Sequence, residues 1–199
     1  MKKYIGLWSF IFALLVAPAN AFANSANVKA IEEQTEIINA NPDDVVAYFK
    51  RGDAYWRNGQ YDLAMADENT AIEKKSDYAA AYVIRGLCYY SLKNYEAAID
   101  NDTKAIELRA DYGLAYRNRA LDYKMLGKYD LAIADCDKSL NLDPTKLNAY
   151  YTKGLILEKM NKNDEAIAAY QKIIELGASN DAGLISDAKN RIIMLGGNI

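Results

Sequence analysis

Residues 45–78 read VVAYFKRGDAYWRNGQYDLAMADENTAIEKKSDY, and the pattern of this stretch returns three more times at a spacing of 34 residues. Gly52 and Gly86 are one period apart, and Gly154 follows two periods later with Ala120 at the step between. Other residues keep the same spacing, namely Tyr48, Tyr82, Tyr116 and Tyr150, Tyr55, Tyr89 and Tyr123, and Ala64, Ala98, Ala132 and Ala166. Such a period predicts units that stack, because one unit alone cannot bury its apolar face.

Each unit is predicted to hold two helices joined by a tight turn. With Val45 as position 1 of the first unit, apolar or small residues recur at positions 4, 8 and 11, which is the spacing of one helical face. Residues that tolerate left-handed backbone mark the turn, near Gly59, Asn94, Gly127 and Asn161. Small residues such as Gly52 and Ala64 allow the two helices to approach closely.

The first unit resembles the tetratricopeptide repeat (TPR) family. The residues that fit its W-x2-L-G-x2-Y…A…A pattern are Tyr48, Arg51, Gly52, Tyr55, Ala64 and Ala71. This resemblance implies an all-α solenoid of stacked antiparallel helix pairs, with four full units at 45–78, 79–112, 113–146 and 147–180. Residues 24–44 are predicted to form a half-repeat or cap helix, and residues 181–199 a C-terminal capping helix and tail.

Residues 1–23 are predicted to form a secretory signal peptide. Lys2 and Lys3 precede an apolar run over 4–16, and cleavage is expected after Ala21 or Ala23. The run is too short to cross a bilayer, so no integral membrane span is expected. The mature chain is therefore predicted to be exported, to the periplasm, the cell envelope or the outside of the cell.

Composition argues against several functions. The net charge is −3, and it becomes −5 once Lys2 and Lys3 are removed with the signal, which disfavours nucleic acid as a partner. The chain has no histidine, which excludes Ser–His–Asp and Cys–His nucleophiles and histidine-based zinc sites. We therefore expect no catalytic residue, no cofactor and no metal site. An enzyme is the least favoured class.

Arginine recurs at position 7, and an acidic residue follows sixteen residues later in two of the units. Arg51 is thus expected to pair with Asp67, and Arg119 with Asp135, because a half-buried guanidinium needs a carboxylate to offset its desolvation.

The two cysteines, Cys88 and Cys136, lie on different helices of neighbouring units. Those helices are not expected to bring the Cα atoms within about 7 Å, the limit for a disulfide. Two free, buried thiols are predicted.

Positions 2, 5, 6, 9, 12 and 13 form the opposite face of each first helix. In proteins that this chain resembles, that face lines a concave groove that holds a partner. The predicted groove residues are Phe49, Lys50, Asp53, Trp56, Arg57, Val83, Ile84, Leu87, Tyr90, Arg117, Asn118, Leu121, Lys124, Met125, Tyr151 and Leu155. Their apolar and basic character predicts a protein or peptide partner with apolar anchors and some acidic character.

Some family members grip a carboxyl terminus with lysine and asparagine side chains. This sequence keeps only fragments of that arrangement, chiefly Lys50, Arg117 and Asn118. A helix or extended segment with leucine- or phenylalanine-like anchors fits better, with Trp56 and Leu87 among the candidate hot spots. Two alternatives stay open: the face is covered within the chain, or the protein is a structural homo-oligomer that assembles through the same groove or an end helix.

Overall fold

The computed structural model describes residues 19–178 and 181–198, with side chains from residue 25 onward. Ten helices occur within these residues, and no strand does. They are α1 (Ala19–Ala40), α2 (Val45–Arg57), α3 (Tyr61–Lys74), α4 (Ala79–Ser91), α5 (Tyr95–Leu108), α6 (Gly113–Met125), α7 (Tyr129–Leu142), α8 (Leu147–Lys159), α9 (Asn163–Leu176) and α10 (Ala182–Met194). The all-α prediction is confirmed. Residues 1–18 of the predicted signal peptide lie outside the described residues.

The helices stack in pairs along the chain. Each of the pairs α2/α3, α4/α5, α6/α7 and α8/α9 packs against the next pair, while α1 covers α2 and α10 covers α9. The first helices α2, α4, α6 and α8 also touch one another in turn. The second helices show no comparable pairing within the described ranges. The first helices therefore form the inner side of the stack.

The turn inside each pair depends on one left-handed residue. It is Gly59 (φ 76°) in the first unit and Gly127 (φ 71°) in the third. In the second unit the left-handed residue is Lys93 (φ 62°), one residue before the predicted Asn94. Asn94 instead caps α5, where its side-chain oxygen accepts a hydrogen bond from the Ala97 N–H at 3.2 Å.

Close helix crossings rest on small residues, as expected. The four alanines at position 20 have no exposed surface, and the position-8 glycines face the side chain at position 24 of the partner helix. A Cβ atom on Gly154 would lie 2.5 Å from the Tyr170 ring, whereas one on Gly86 would find its nearest atom at 3.4 Å. The glycine is therefore obligatory in the fourth unit, where Tyr170 is fully buried.

Both predicted ion pairs are confirmed. The Arg51 guanidinium donates through Nε and Nη2 to the two carboxylate oxygens of Asp67, each at 2.7 Å. Arg119 donates to Asp135 in the same way, at 2.8 Å for both bonds. Two parallel bonds to a carboxylate are the strong geometry for arginine.

The same arginines also bond to the preceding unit, which the sequence did not indicate. Nη1 of Arg51 donates to Thr35 Oγ1 at 3.1 Å, and Nη1 of Arg119 to Thr103 Oγ1 at 3.0 Å. We call this series of position-7 contacts the arginine ladder. It joins the second helices of adjacent units through a side chain of the first helix between them.

In the second unit Arg85 bonds to Asn101 (2.7 Å) and Asn69 (2.7 Å), so this rung has no carboxylate. In the fourth unit Lys153 reaches back to Asp137 at 2.6 Å. A position-7 contact of the arginine ladder therefore occurs in all four units, but the residue types that form it differ from unit to unit.

Cys88 and Cys136 are free and buried, as predicted. Burial raises the pKa of each thiol to about 12. Neither thiol is therefore ionised at neutral pH, and both act as small core side chains.

Candidate functional site

The inner face is formed by the sides of α2, α4, α6 and α8 that point away from their paired second helices. The predicted groove residues on this face differ in how far they are buried. Three of them are exposed: Lys50, Arg57 and Met125. Ten are half-buried: Phe49, Asp53, Trp56, Leu87, Tyr90, Arg117, Leu121, Lys124, Tyr151 and Leu155. The structure thus leaves most of the predicted stripe accessible in part.

Three predicted groove residues are buried instead: Val83 is 1% exposed, Ile84 8% and Asn118 3%. Ile84 packs with Ala64 and Cys88, and Val83 lies in a cluster with Ala105 and Ala115. A helical wheel treats each helix as isolated, whereas the first helices here cover part of one another's faces. These three side chains belong to the core beneath the inner face and offer a ligand no surface.

The first unit shows the effect of an absent neighbour. Lys50 occupies the same repeat position as Ile84 and Asn118, yet it is exposed, because α2 follows α1 rather than another first-type helix. An open cavity of about 390 Å³ lies between α1 and α2, with Phe49, Lys50, Asp53 and Arg57 among its lining residues. Four predicted groove residues therefore meet there.

The apolar part of the inner face lies around α2 and α4. Phe49 meets Tyr78 edge-on, with ring centroids 5.3 Å apart, and Leu87 packs against two buried clusters, one of which Trp56 also contacts and the other Tyr112. These side chains are fixed by their neighbours and still keep part of their surface exposed. A rigid, half-exposed apolar surface is what a partner side chain can cover at low entropic cost.

The acidic side chains of the inner face are neutralised within the chain. Asp53 accepts from Arg57 Nε at 2.8 Å, one helical turn away. Glu158 on α8 accepts from Arg191 of α10 at 2.9 Å and from the Tyr170 hydroxyl at 2.5 Å. The free charge that remains on this face is therefore positive.

Basic side chains collect where α6, α8 and α10 meet. Partial burial lowers the pKa of Lys124, and the nearby cations Lys159 and Arg191 lower it further, although Glu158 opposes them. Glu158 supplies one negative charge to this group through its pair with Arg191, so Lys124 and Lys159 leave the group with a net positive charge.

Arg117 on α6 is a second unbalanced cation. Its Nη2 donates to the neighbouring Asn118 side-chain oxygen at 3.0 Å, but its Nε–H is buried and meets no acceptor in the described part of the chain. Burial lowers the pKa of this guanidinium. Nη1 is neither buried nor bonded within the described chain, so it is the atom of this guanidinium that an acceptor from outside can reach.

Buried acids lie below the inner face, and the sequence reasoning missed them. Glu68, Asp102 and Asp122 are at most 1% exposed. Glu68 and Asp102 share repeat position 24 with Cys136 and Tyr170, so an alignment of the four units would have placed two acids at an interior position. Such residues are almost never fully buried without a partner.

Asp102 on α5 faces Asp122 on α6. Burial is the main cause that raises the pKa of both carboxyls, to about 8 for Asp122 and well above its ordinary value for Asp102. The two side chains are hydrogen-bonded to each other. Two carboxyls in one dry site share a proton, since both cannot ionise together.

Family models match the chain throughout its repeat region. Models of the tetratricopeptide repeat match residues 29–79, 49–112, 113–146 and 147–180. The chain belongs to the tetratricopeptide repeat family. No curated protein matches this TPR chain.

Solved structures with the same TPR architecture are numerous. MamA is 26% identical with a TM-score of 0.65, covering 81% of this chain and 96% of its own. TTC0263 of Thermus thermophilus is 20% identical with a TM-score of 0.78, covering 87% and 94%. The second TPR domain of human RPAP3, in complex with the HSP70 peptide SGPTIEEVD, is 26% identical with a TM-score of 0.54, covering 56% and 93%. TPR proteins mediate protein–protein interaction, and some of them bind peptides.

The TPR fold is typically a non-enzymatic interaction scaffold. Within residues 19–178 and 181–198, no three acidic or cysteine side chains group as metal ligands would. None of the described helices combines the length and hydropathy that a membrane span needs.

Proposed function

We propose that this TPR protein is a non-enzymatic interaction module that binds a segment of a partner protein along its inner face. The observation that carries the proposal is the apolar surface that Phe49, Trp56 and Leu87 keep exposed on the inner face, although their neighbours bury the rest of each side chain. A surface of this kind, held rigid by its neighbours, is typical of interaction sites rather than of idle protein surface.

The charges of the inner face narrow the class of partner. Its two acids are already paired, whereas Lys159 on α8 lies near enough to Lys124 on α6 to lower the pKa of Lys124. A segment with apolar anchors and carboxylates would match both features. The peptide-bound RPAP3 domain is similar in this respect, because its HSP70 peptide contains two glutamates and ends in aspartate.

The mode of binding differs from a clamp on a free carboxyl terminus. Asn118, one of the three clamp-like residues, is buried, and position 9 carries Leu87, Leu121 and Leu155 in three units. We therefore place apolar anchors along the middle of the face, with acidic groups toward α6 and α8.

The second part of the proposal is that the protein works outside the cytoplasm, in the periplasm or cell envelope. Its support is the sequence of residues 1–23, with Lys2 and Lys3 before an apolar run. Mass spectrometry of the protein from the native host should show a mature chain that begins at Phe22 or Asn24. An intact chain beginning at Met1 in the cytosolic fraction would contradict it.

The binding proposal is tested with peptides selected from a random displayed library against the full chain. Enriched peptides should combine aromatic or leucine side chains with acidic ones. Leu87→Asp should weaken the binding of the best peptide at least about tenfold, because it places a like charge against the ligand and removes an anchor. Isothermal titration calorimetry measures the affinity.

Leu131→Asp is the matched control, because Leu131 is 51% exposed on the second helix α7. It should bind the selected peptide as the wild type does. Basic peptides among the enriched set, or an equal loss in both variants, would overturn the proposal. Light scattering that shows a dimer dissociated by Leu87→Asp would favour self-association through the same face.

A further inference from the structure

An open cavity of about 550 Å³ lies between α6, α7 and α8, at the edge of the inner face. We call it the α6–α8 pocket. The lining residues that matter for its chemistry are Tyr112, Leu114, Arg117, Ser139, Leu142 and Lys146. Leu114 is 43% exposed and Leu142 40% exposed, so two large apolar side chains face open space in one concavity. The pocket therefore has apolar walls that nothing in the described chain covers.

The repeat explains why the pocket exists at this point of the stack. Position 34 is tyrosine in the first two units, Tyr78 and Tyr112, and lysine in the third, Lys146. Tyr78 fills the space beside Phe49, and Tyr112 packs against the cluster that contains Val83. Lys146 turns outward to Asp143 at 3.0 Å, and its side chain is 66% exposed. The space that a tyrosine ring fills in the earlier units is thus left open.

The residue opposite this space changes as well. Position 5 is Phe49 in the first unit, Val83 in the second and Arg117 in the third. An aromatic or apolar contact is thereby replaced by a cation whose buried Nε–H has no acceptor in the described residues. The third unit therefore has room for a ring and a donor for an anion at one place.

We propose that the α6–α8 pocket binds an aromatic side chain of a partner segment, with a neighbouring carboxylate of that segment on Arg117. The inference rests on the proposed peptide-binding function and names the anchor that this end of the face takes. The ring enters where Tyr78 and Tyr112 lie in the other units, between Leu114 and Leu142. The carboxylate accepts a hydrogen bond from the accessible Nη1 of Arg117.

Two acids, Asp143 and Asp111, line the rim of the pocket, and neither prevents Arg117 from binding the ligand carboxylate. Asp143 accepts from the Thr145 hydroxyl at 2.6 Å and the Thr145 N–H at 2.9 Å, and it also pairs with Lys146. Asp111 lies 3.9 Å from Arg109, and its side chain is 80% exposed. Neither carboxylate forms an ion pair with Arg117 in the described chain, so a ligand carboxylate there does not have to displace one.

The test uses three blocked peptides: one with tryptophan between two aspartates, one with alanine in place of tryptophan, and one with asparagines in place of both aspartates. Each is titrated into the full chain, and the methyl resonances of Leu114 and Leu142 are followed by NMR. We expect saturable shifts with the first peptide. The other two should each bind at least about fivefold more weakly.

Lys146→Tyr restores the residue of the first two units and should fill the pocket. It should weaken the tryptophan peptide at least about tenfold while leaving the melting temperature unchanged or higher. Lys138→Tyr, on the exposed side of α7, is the matched control and should bind as the wild type does. Arg117→Gln should remove the preference for aspartate over asparagine and keep the preference for tryptophan.

If the Leu114 and Leu142 resonances show no saturable shifts, or if Lys146→Tyr binds the tryptophan peptide as the wild type does, the proposed binding in the α6–α8 pocket is overturned. Equal binding of the alanine peptide would do the same. These outcomes are distinct from failure of the proposed function, because Lys146→Tyr leaves Phe49, Trp56 and Leu87 untouched. A library peptide that still depends on Leu87 but ignores Lys146→Tyr would support the inner face and reject the pocket.

Discussion

Replacement of Glu68 by methionine will raise the free energy of unfolding by about 3 kcal/mol at pH 7. Glu68 has no exposed surface, and neither of its carboxylate oxygens has a hydrogen-bond partner in the described chain. Burial raises the pKa of this carboxyl from 4.5 to about 10, with smaller contributions from Asp67 and Asp53. Folding at pH 7 must therefore place a proton on a group that is ionised in the unfolded chain, and methionine removes that cost.

The direction in which the stability difference between Glu68→Met and wild type changes with pH shows whether protonation of Glu68 causes it. Because the pKa of Glu68 is higher in the folded chain, the contribution of Glu68 to the free energy of unfolding is greatest below about pH 4.5. This contribution declines as the pH rises toward about 10. The methionine variant lacks this decline. The gap between variant and wild type should therefore be wide at pH 7 and narrow at pH 4.5, in urea unfolding followed by circular dichroism.

The comparison has a control in the same helix. Glu73→Met changes an exposed glutamate of α3 and should alter stability by no more than about 0.5 kcal/mol. Asp102 and Asp122 titrate in every variant, so their contribution cancels in the difference. A gap for Glu68→Met that is the same at both pH values would mean that side-chain packing, and not protonation, sets the effect.

Asp135→Ala will lower the free energy of unfolding by about 3 kcal/mol, the second large effect that we expect. The alanine removes both bonds to Arg119, whose side chain is only 17% exposed and keeps a single bond, to Thr103. A guanidinium held in place without its carboxylate is costly, because it has lost both water and its counter-ion.

The second unit provides the matched comparison. There Arg85 bonds to Asn101 rather than to an acid, so Asp135→Asn reproduces an arginine–asparagine contact that the protein already contains. Asp135→Asn should cost about 1 kcal/mol. A double-mutant cycle with Arg119→Met, in thermal and urea unfolding, should give a coupling energy of at least about 1 kcal/mol. Additive losses would show that the two residues act independently.

The repeat period alone predicted the helix pairs, and it did so because the same glycines, tyrosines and alanines mark every unit. The Arg51–Asp67 and Arg119–Asp135 pairs also followed from it, since a spacing of sixteen places both residues on facing helices of one unit. Contacts inside a unit are thus readable from sequence when the residue types are complementary. The turn in the second unit was misplaced by one residue, because Asn94 is needed as a helix cap.

Contacts between units were harder to predict. The bond from Arg51 to Thr35 and the burial of Val83, Ile84 and Asn118 depend on how far each unit rotates against the previous one. That rotation is a property of the stack, and a single helical face does not contain it. Glu68 was missed for a related reason, since acidic residues are ordinarily assigned to solvent.

One further consequence comes from the contact between position 24 of a unit and position 10 of the next. Asp102 meets Asp122 across one boundary, and Cys136 packs with Ile156 across another. The four units are therefore not interchangeable building blocks, although their backbones repeat. Exchanging the second and third would set Asp102 against Ile156 and bring Cys136 against Cys88. The side chains at positions 24 and 10, which meet at each boundary between units, therefore specify the order of the repeats.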